Sequence, residues 1–283
     1  MTSSVPAPEI SYHADFATDG DIELATPANV HFRIASSTLC RSSSFFRAMF
    51  ANAQPDSSTS ERHVVVVDED EQTVEVLLKI ASGLPVQFLQ LTEMEDVERL
   101  AHAADKYDMP AALNFLQVYM HVPAVRAQPL RRYALAARYG WEDSCAEALV
   151  DTLQLDIDFS PGALPPMDML HLARILRLRQ FRIKAFAAVL DDVVLFGFGN
   201  SGKCNAQHVL PKPTPWDTLK AFLVLELTRH PCGTTVLSAN HAVLEAAREA
   251  KCKECENGTL LYHWPRTLDL LQRALQRLPT KLD

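Results

Sequence analysis

The residues best placed to do chemistry lie in the last third of the chain. Cys204 and His208 form a C-x-x-x-H pair, and Cys252 and Cys255 form a C-x-x-C pair further along. Three thiolates and one imidazole make a closed tetrahedral set suited to Zn²⁺, and each short spacing lets two ligands reach one ion. Gly202 before the first pair and Gly258 after the second give the backbone room to fold around a metal. A redox C-x-x-C usually opens a helix after a strand, whereas this one follows a helical pattern at 239–251. Four ligands imply a structural site, since a catalytic zinc keeps an open position beside a carboxylate base. Glu254 and Glu256 flank the second pair, but they also suit a solvated turn. Cys232 and His230 are reserve ligands, and a set of unconnected thiols is the alternative.

A second pattern runs from Gly197 to Lys203, where G-x-x-x-x-G-K follows the apolar run Val193–Phe196. In a phosphate-binding loop, backbone N–H groups and the lysine hold the phosphates and a following Ser or Thr binds Mg²⁺. Here Cys204 follows, a soft ligand ill-suited to Mg²⁺. The loop should also open a helix, yet Pro211, Pro213 and Pro215 come next. An ordinary turn is the better reading, and a nucleotide-binding enzyme is the weaker alternative. No H-E-x-x-H, G-x-S-x-G or H-x-E…P-C-x-x-C pattern is present. The expectation is a protein that is not an enzyme.

Composition narrows the class further. The 283 residues suffice for two domains, and a hydrophobic share of 48% lets each bury a core. A net charge of −8 without a basic half argues against nucleic-acid binding. Arg174, Arg177, Arg179, Arg182 and Lys184 crowd one helical stretch, 168–190. Taken together they scatter around the helix, so solvated charges paired with Asp191, Asp192 or neighbours are expected. The polar first twenty residues lack a signal-peptide core, and no apolar run is long enough to span a membrane. Six cysteines in such a chain read as reduced thiols, so an intracellular protein of nucleus or cytoplasm is expected.

The elements that must position these residues begin after a polar N-terminal tail, 1–15, expected to be disordered. Residues 21–25 and 30–34 read as a hairpin turning at Ala28-Asn29. Ser36 or Ser37 is expected to cap a short helix, and Ser42 or Ser43 the next, on which Phe45, Phe46, Met49 and Phe50 share a face. His63–Val67 reads as a buried strand. Three helices follow, marked by Val74, Leu77 and Leu78, by Val97, Leu100 and Ala104, and by Ala112, Leu116 and Met120. Pro110 fits the first turn of the third. Beyond a linker at 121–128, helices are expected around 130–137, 141–153 and 168–190, from Trp216 onward, and over Leu268–Leu278.

This order of elements resembles the BTB/POZ fold. Ser44-Phe45-Phe46-Arg47-Ala48-Met49-Phe50 is similar to the family's S-x-F-F-x-x-M-F helix, and Ala103-Ala104-Asp105-Lys106-Tyr107-Asp108-Met109 to its A-D-K-Y-x-M link. The resemblance covers 16–120 and is nearest the fungal group of BTB proteins. That group is also similar over 129–155 and in the tail, with its Cys/His loop, Trp-led helix, Pro231-Cys232-Gly233 turn and C-x-x-C. The resemblance implies an α+β domain at 16–120, a small sheet with packed helices, and then an all-helical region at 129–283 with a zinc clamp. It implies protein–protein interaction and homodimerisation through Ile22, Leu24, Leu39, Phe45, Phe46, Met49 and Phe50. A substrate adaptor of a cullin-type ubiquitin ligase is the alternative. Cullin-recruiting relatives carry a hydrophobic-x-Glu signature just after this helix, where this chain has Gln54-Pro55-Asp56-Ser57-Ser58. Ala35-Ser36 also replaces the His-Lys pair of many relatives, removing a polar tie.

Overall fold

A computed structural model describes residues 10–52, 63–87, 91–160, 162–192, 195–196, 215–238, 245, 247–252 and 259–282. The chain divides into two compact units, Met1–Gln128 and Pro129–Asp283.

The first unit is built on a four-stranded mixed sheet in the order β1-β3-β2-β4. Its strands are β1 (Ser11–Tyr12), β2 (Ile22–Ala25), β3 (Val30–Ile34) and β4 (His63–Val66). β2 and β3 form the expected hairpin, pairing antiparallel with Leu24 opposite Phe32. The turn needs a left-handed residue, and Asn29 supplies it at φ 60. Thr26 closes the turn, its Oγ1 accepting from the Val30 amide. Gly20 has φ +146 and packs on the Ile34 backbone, where an added Cβ would come within 2.3 Å of the amide nitrogen. The expected disordered tail is partly ordered: β1 pairs parallel with β3, and Ala14–Phe16 forms a 3₁₀ turn that buries Phe16.

Among the described residues, six helices complete this unit: α1 (Ser36–Ser42), α2 (Ser44–Asn52), α3 (Glu71–Ser82), α4 (Met94–Lys106), α5 (Pro110–Tyr119) and α6 (Pro123–Arg126). Their apolar stripes meet the sheet in a core that includes Phe32, Leu39, Leu78, Leu100 and Leu116. Among the described residues that core lines a void of about 10 Å³ between Leu24, Leu39, Phe46, Tyr107 and neighbours, at most the room of one water. Pro110 occupies the first turn of α5 as expected. Two expectations need correction. Ser36 does not cap α1; Ala35 stands at that position without a side-chain bond, and Asp21 reaches across to cap the helix instead. β4 is not buried. It lies at the sheet edge, where Val64 and Val66 are exposed and only the following Val67 turns inward.

The second unit contains α7 (Pro129–Arg138), α8 (Glu142–Asp151), α9 (Met169–Leu190), α10 (Pro215–Arg229), α11 (Thr234–Leu237) and α12 (Trp264–Gln276). One core cluster gathers Phe186, Trp216, Leu223, Val236 and Leu271; a second gathers Tyr133, Ala148, Ile157 and Ile175. Trp216 stacks on Phe196 at 4.7 Å and donates its indole N–H to the Leu190 carbonyl at 2.9 Å. Gly233, at φ +86, leaves room for Leu275, whose side chain would lie 2.6 Å from an added Cβ.

Candidate functional site

The strongest motif of the first unit, the aromatic helix α2, is locked in place by its own N-terminal serine. Ser43 Oγ accepts from the Phe46 amide at 3.1 Å, capping the helix as one of the two expected serines, and donates to the Tyr107 carbonyl. This joins α2 to the turn between α4 and α5. In that turn Asp108 adopts φ 46, and Ser44 Oγ donates to its carboxylate. The rings follow: Phe46 stacks on Tyr107 at 5.2 Å, and Phe45 meets both edge-on.

The link residues Lys106 and Tyr107 bind the acidic end of β4. Lys106 Nζ lies 2.8 Å from Glu69 and 3.0 Å from Asp68, and the Tyr107 hydroxyl donates to Glu69. Partial burial works against the Lys106 charge, but Glu69 and Asp68 outweigh it and raise its pKa. Burial, then Glu69, raises the Tyr107 pKa. The motif that carries the family resemblance is therefore fold-forming chemistry: a lysine clamp and a stacked ring.

The structure sorts the expected contact residues into two groups. Ile22, Leu24, Leu39 and Phe46 are core, each between 0% and 7% exposed. They hold up the surface but do not form it. Phe45 is 43% exposed, and Met49 and Phe50 are half-buried beside it. The alternation arises because α2 runs across the core, so Phe46 faces inward while its neighbour Phe45 looks out.

Beneath the sheet surface lies a polar cluster that sequence reading passed over. The Glu23 carboxylate, 6% exposed, meets His31 Nδ1 at 2.5 Å, the Tyr12 hydroxyl at 3.3 Å and Arg33 Nε at 3.5 Å. Burial alone would raise the Glu23 pKa, but the bonds from His31, Tyr12 and Arg33 hold it below its ordinary value. The register pairs Glu23 with Arg33, and the alternating polar residues of the hairpin were the available signal.

In the second unit, the expected metal ligands Cys204, His208 and Cys255 lie outside the described residues, as does Gly197–Lys203. Cys252 is described, and it is buried. It stands where two chain segments meet antiparallel. Lys251 bridges Leu260, the Cys252 amide donates to the Thr259 carbonyl at 2.9 Å, and the Leu261 amide to Ala250 at 2.9 Å. The stretch 253–258, with Cys255, connects the two segments. Of the reserve pair, Cys232 is half-buried with its sulfur 3.2 Å from Thr234 Oγ1. The His230 amide closes α10 on the Glu226 carbonyl. Among the described residues, no group of three or more His, Cys, Asp or Glu side chains could hold a metal.

The basic run on α9 is not uniform. Arg179 and Arg182 are buried and donate to carbonyls. Arg179 serves Thr152, Leu155 and Arg229; Arg182 serves Pro231, Leu278 and Pro279. Of the carboxylates expected to pair with this run, Asp191 pairs with Lys220 of α10. Arg174, Arg177 and Lys184 are exposed.

Comparison with protein families matches residues 16–122 to the BTB/POZ domain. Comparison with curated proteins returns no match for the chain. Residues 16–122 are a BTB/POZ domain, a non-catalytic domain through which proteins bind other proteins. No helix among the described residues is long and apolar enough to cross a membrane.

Proposed function

We propose that this chain is a homodimerising adaptor or regulatory protein of the fungal BTB type, and that its contact surface centres on Phe45, Met49 and Phe50. The observation that carries this reading is the exposed Phe45 ring, held edge-on against Phe46 and Tyr107 inside a BTB/POZ domain. An aromatic anchor that is already ordered loses little freedom when a partner covers it, which suits a binding hot spot. Ile22, Leu24, Leu39 and Phe46 act from below, fixing the position of that surface. Light scattering on the full chain tests the reading. A dimer is expected for the wild type and a monomer for Phe45→Glu; a monomeric wild type that captures no partner through this surface refutes it.

The same proposal includes a structural zinc held by Cys204, His208, Cys252 and Cys255. Support comes from the donor set and from the antiparallel contact at Cys252, which brings residues 250–252 against 259–261. Bound there, the ion would cross-link two stretches of chain and do no catalytic work. Elemental analysis is expected to give about one zinc per chain. Cys252→Ser with Cys255→Ser is expected to lose the metal and to lower the melting temperature of the second unit. A folded wild type without metal would end the idea.

A further inference from the structure

Sorting the α9 charges into buried and exposed groups uncovers a surface that neither the BTB/POZ domain nor the zinc accounts for. With Arg179 and Arg182 committed to the core, the remaining cations lie on one helical face. Arg174 and Arg177 are a turn apart, and Phe181 and Lys184 continue the stripe at helical spacing. Within the second unit this stripe forms one wall of a cleft of about 780 Å³. Ala136, Ala137 and Leu149, from α7 and α8, make an apolar wall, and Lys281 adds a further cation from the C-terminal segment. A smaller groove of about 360 Å³ continues past Arg177 to Phe181 and Lys184.

The charge inside is lopsided. Among the described lining residues, Arg174, Arg177 and Lys281 stand against one carboxylate, Glu142, in a protein whose net charge is −8. His171 also lines the cleft, and its Nε2 lies 3.7 Å from Asp168. Among the described residues Arg174, Arg177 and Lys281 make no ion pair. At the floor sits Tyr133, fully buried, its hydroxyl donating to the His171 carbonyl at 3.2 Å. Cys145 stands half-buried beside it, within the electrostatic reach of Arg174. The volume falls inside the range of small-molecule sites, about 300–1,000 Å³, which typically combine an apolar lining with a few convergent polar groups.

We infer that this cleft binds a small organic anion, a phosphate or carboxylate group on an apolar body, with Arg174, Arg177 and Lys281 on the anionic group and Ala136, Ala137 and Leu149 on the body. A free guanidinium pair matches the oxygens of either group. Small size is favoured over an acidic peptide because the three cations line one concave site of about 780 Å³.

Cys145 provides a reporter inside the cleft. The full chain is alkylated with iodoacetamide in the presence of phenyl phosphate, inorganic phosphate or neutral benzyl alcohol, and Cys145 is read by peptide mass mapping. Phenyl phosphate is expected to slow Cys145 alkylation, with inorganic phosphate weaker and benzyl alcohol without effect. Arg174→Ala with Arg177→Ala should weaken that protection at least about tenfold, as loss of charge-assisted contacts implies. Glu142→Gln should strengthen it. All three positions are exposed, so these variants spare the core. Equal protection by benzyl alcohol, or protection unchanged in the arginine variant, overturns the proposal. So does protection by a glutamate-rich peptide where phenyl phosphate gives none.

Discussion

Asp21 shows how much one side chain can carry. Its carboxylate accepts from the Ser36 amide and from Ser36 Oγ, both at 2.6 Å, and these bonds lower its pKa. It thereby caps a helix whose own N-cap residue, Ala35, has no side chain to offer. Asp21→Ala should cost about 1 kcal/mol, the usual value of a lost cap, measured by urea denaturation. Glu23 gives a pH dependence with a definite sign. Its folded-state pKa lies below its unfolded value, so its contribution to stability is complete above about pH 4.3 and fades as the pH falls through the folded value. Glu23→Gln is expected to lower the urea midpoint at neutral pH and to flatten the acid limb of the stability curve. Glu23 left a faint trace in the polar alternation of its hairpin, and Asp21 left none at the helix it caps. Ser36 matched the local capping rule, and only the tertiary approach of the strand before it revealed that the acceptor comes from fifteen residues upstream.

At the scale of elements, α2 separates structure from recognition within two adjacent residues. Phe46→Ala removes a core ring and should cost about 3–5 kcal/mol by chemical denaturation. Phe45→Ala should cost under about 1 kcal/mol of stability and still weaken self-association in light scattering. Helix periodicity made the stripe legible but could not tell the inner ring from the outer one, because both belong to the same wide apolar arc. The same limit applied to α9. Five cations read as one scattered set until burial divided them into two arginines that satisfy carbonyls and three cations on one face. Arg182→Met should cost roughly 2–4 kcal/mol, since it strands the Pro231, Leu278 and Pro279 carbonyls that the guanidinium serves. Thermal and urea unfolding of the variant would measure it.

Over the whole molecule, the two units differ in how far sequence alone could reach. The first follows a pattern in which strands and the lysine–tyrosine link lie close together in order, and that order made the BTB/POZ domain matched at 16–122 recognisable. Its edge strand was misjudged, because a β-branched run looks equally buried or exposed until its neighbours are known. The second unit depends on contacts between distant segments, such as Tyr262 with Phe196 and Arg182 with Pro279, that no local rule encodes. Chelation with EDTA is expected to lower the melting temperature of the second unit and leave the first unchanged, monitored by hydrogen exchange across both.

The grip of Arg182 on residues 278 and 279 gives that short segment a keystone's duty. Deleting residues 277–282 would take away two of the three acceptors on which a buried cation rests. The guanidinium, still charged, would then rest on the Pro231 carbonyl and on water entering where that segment lay, so the loss of a few residues should loosen the helices around it.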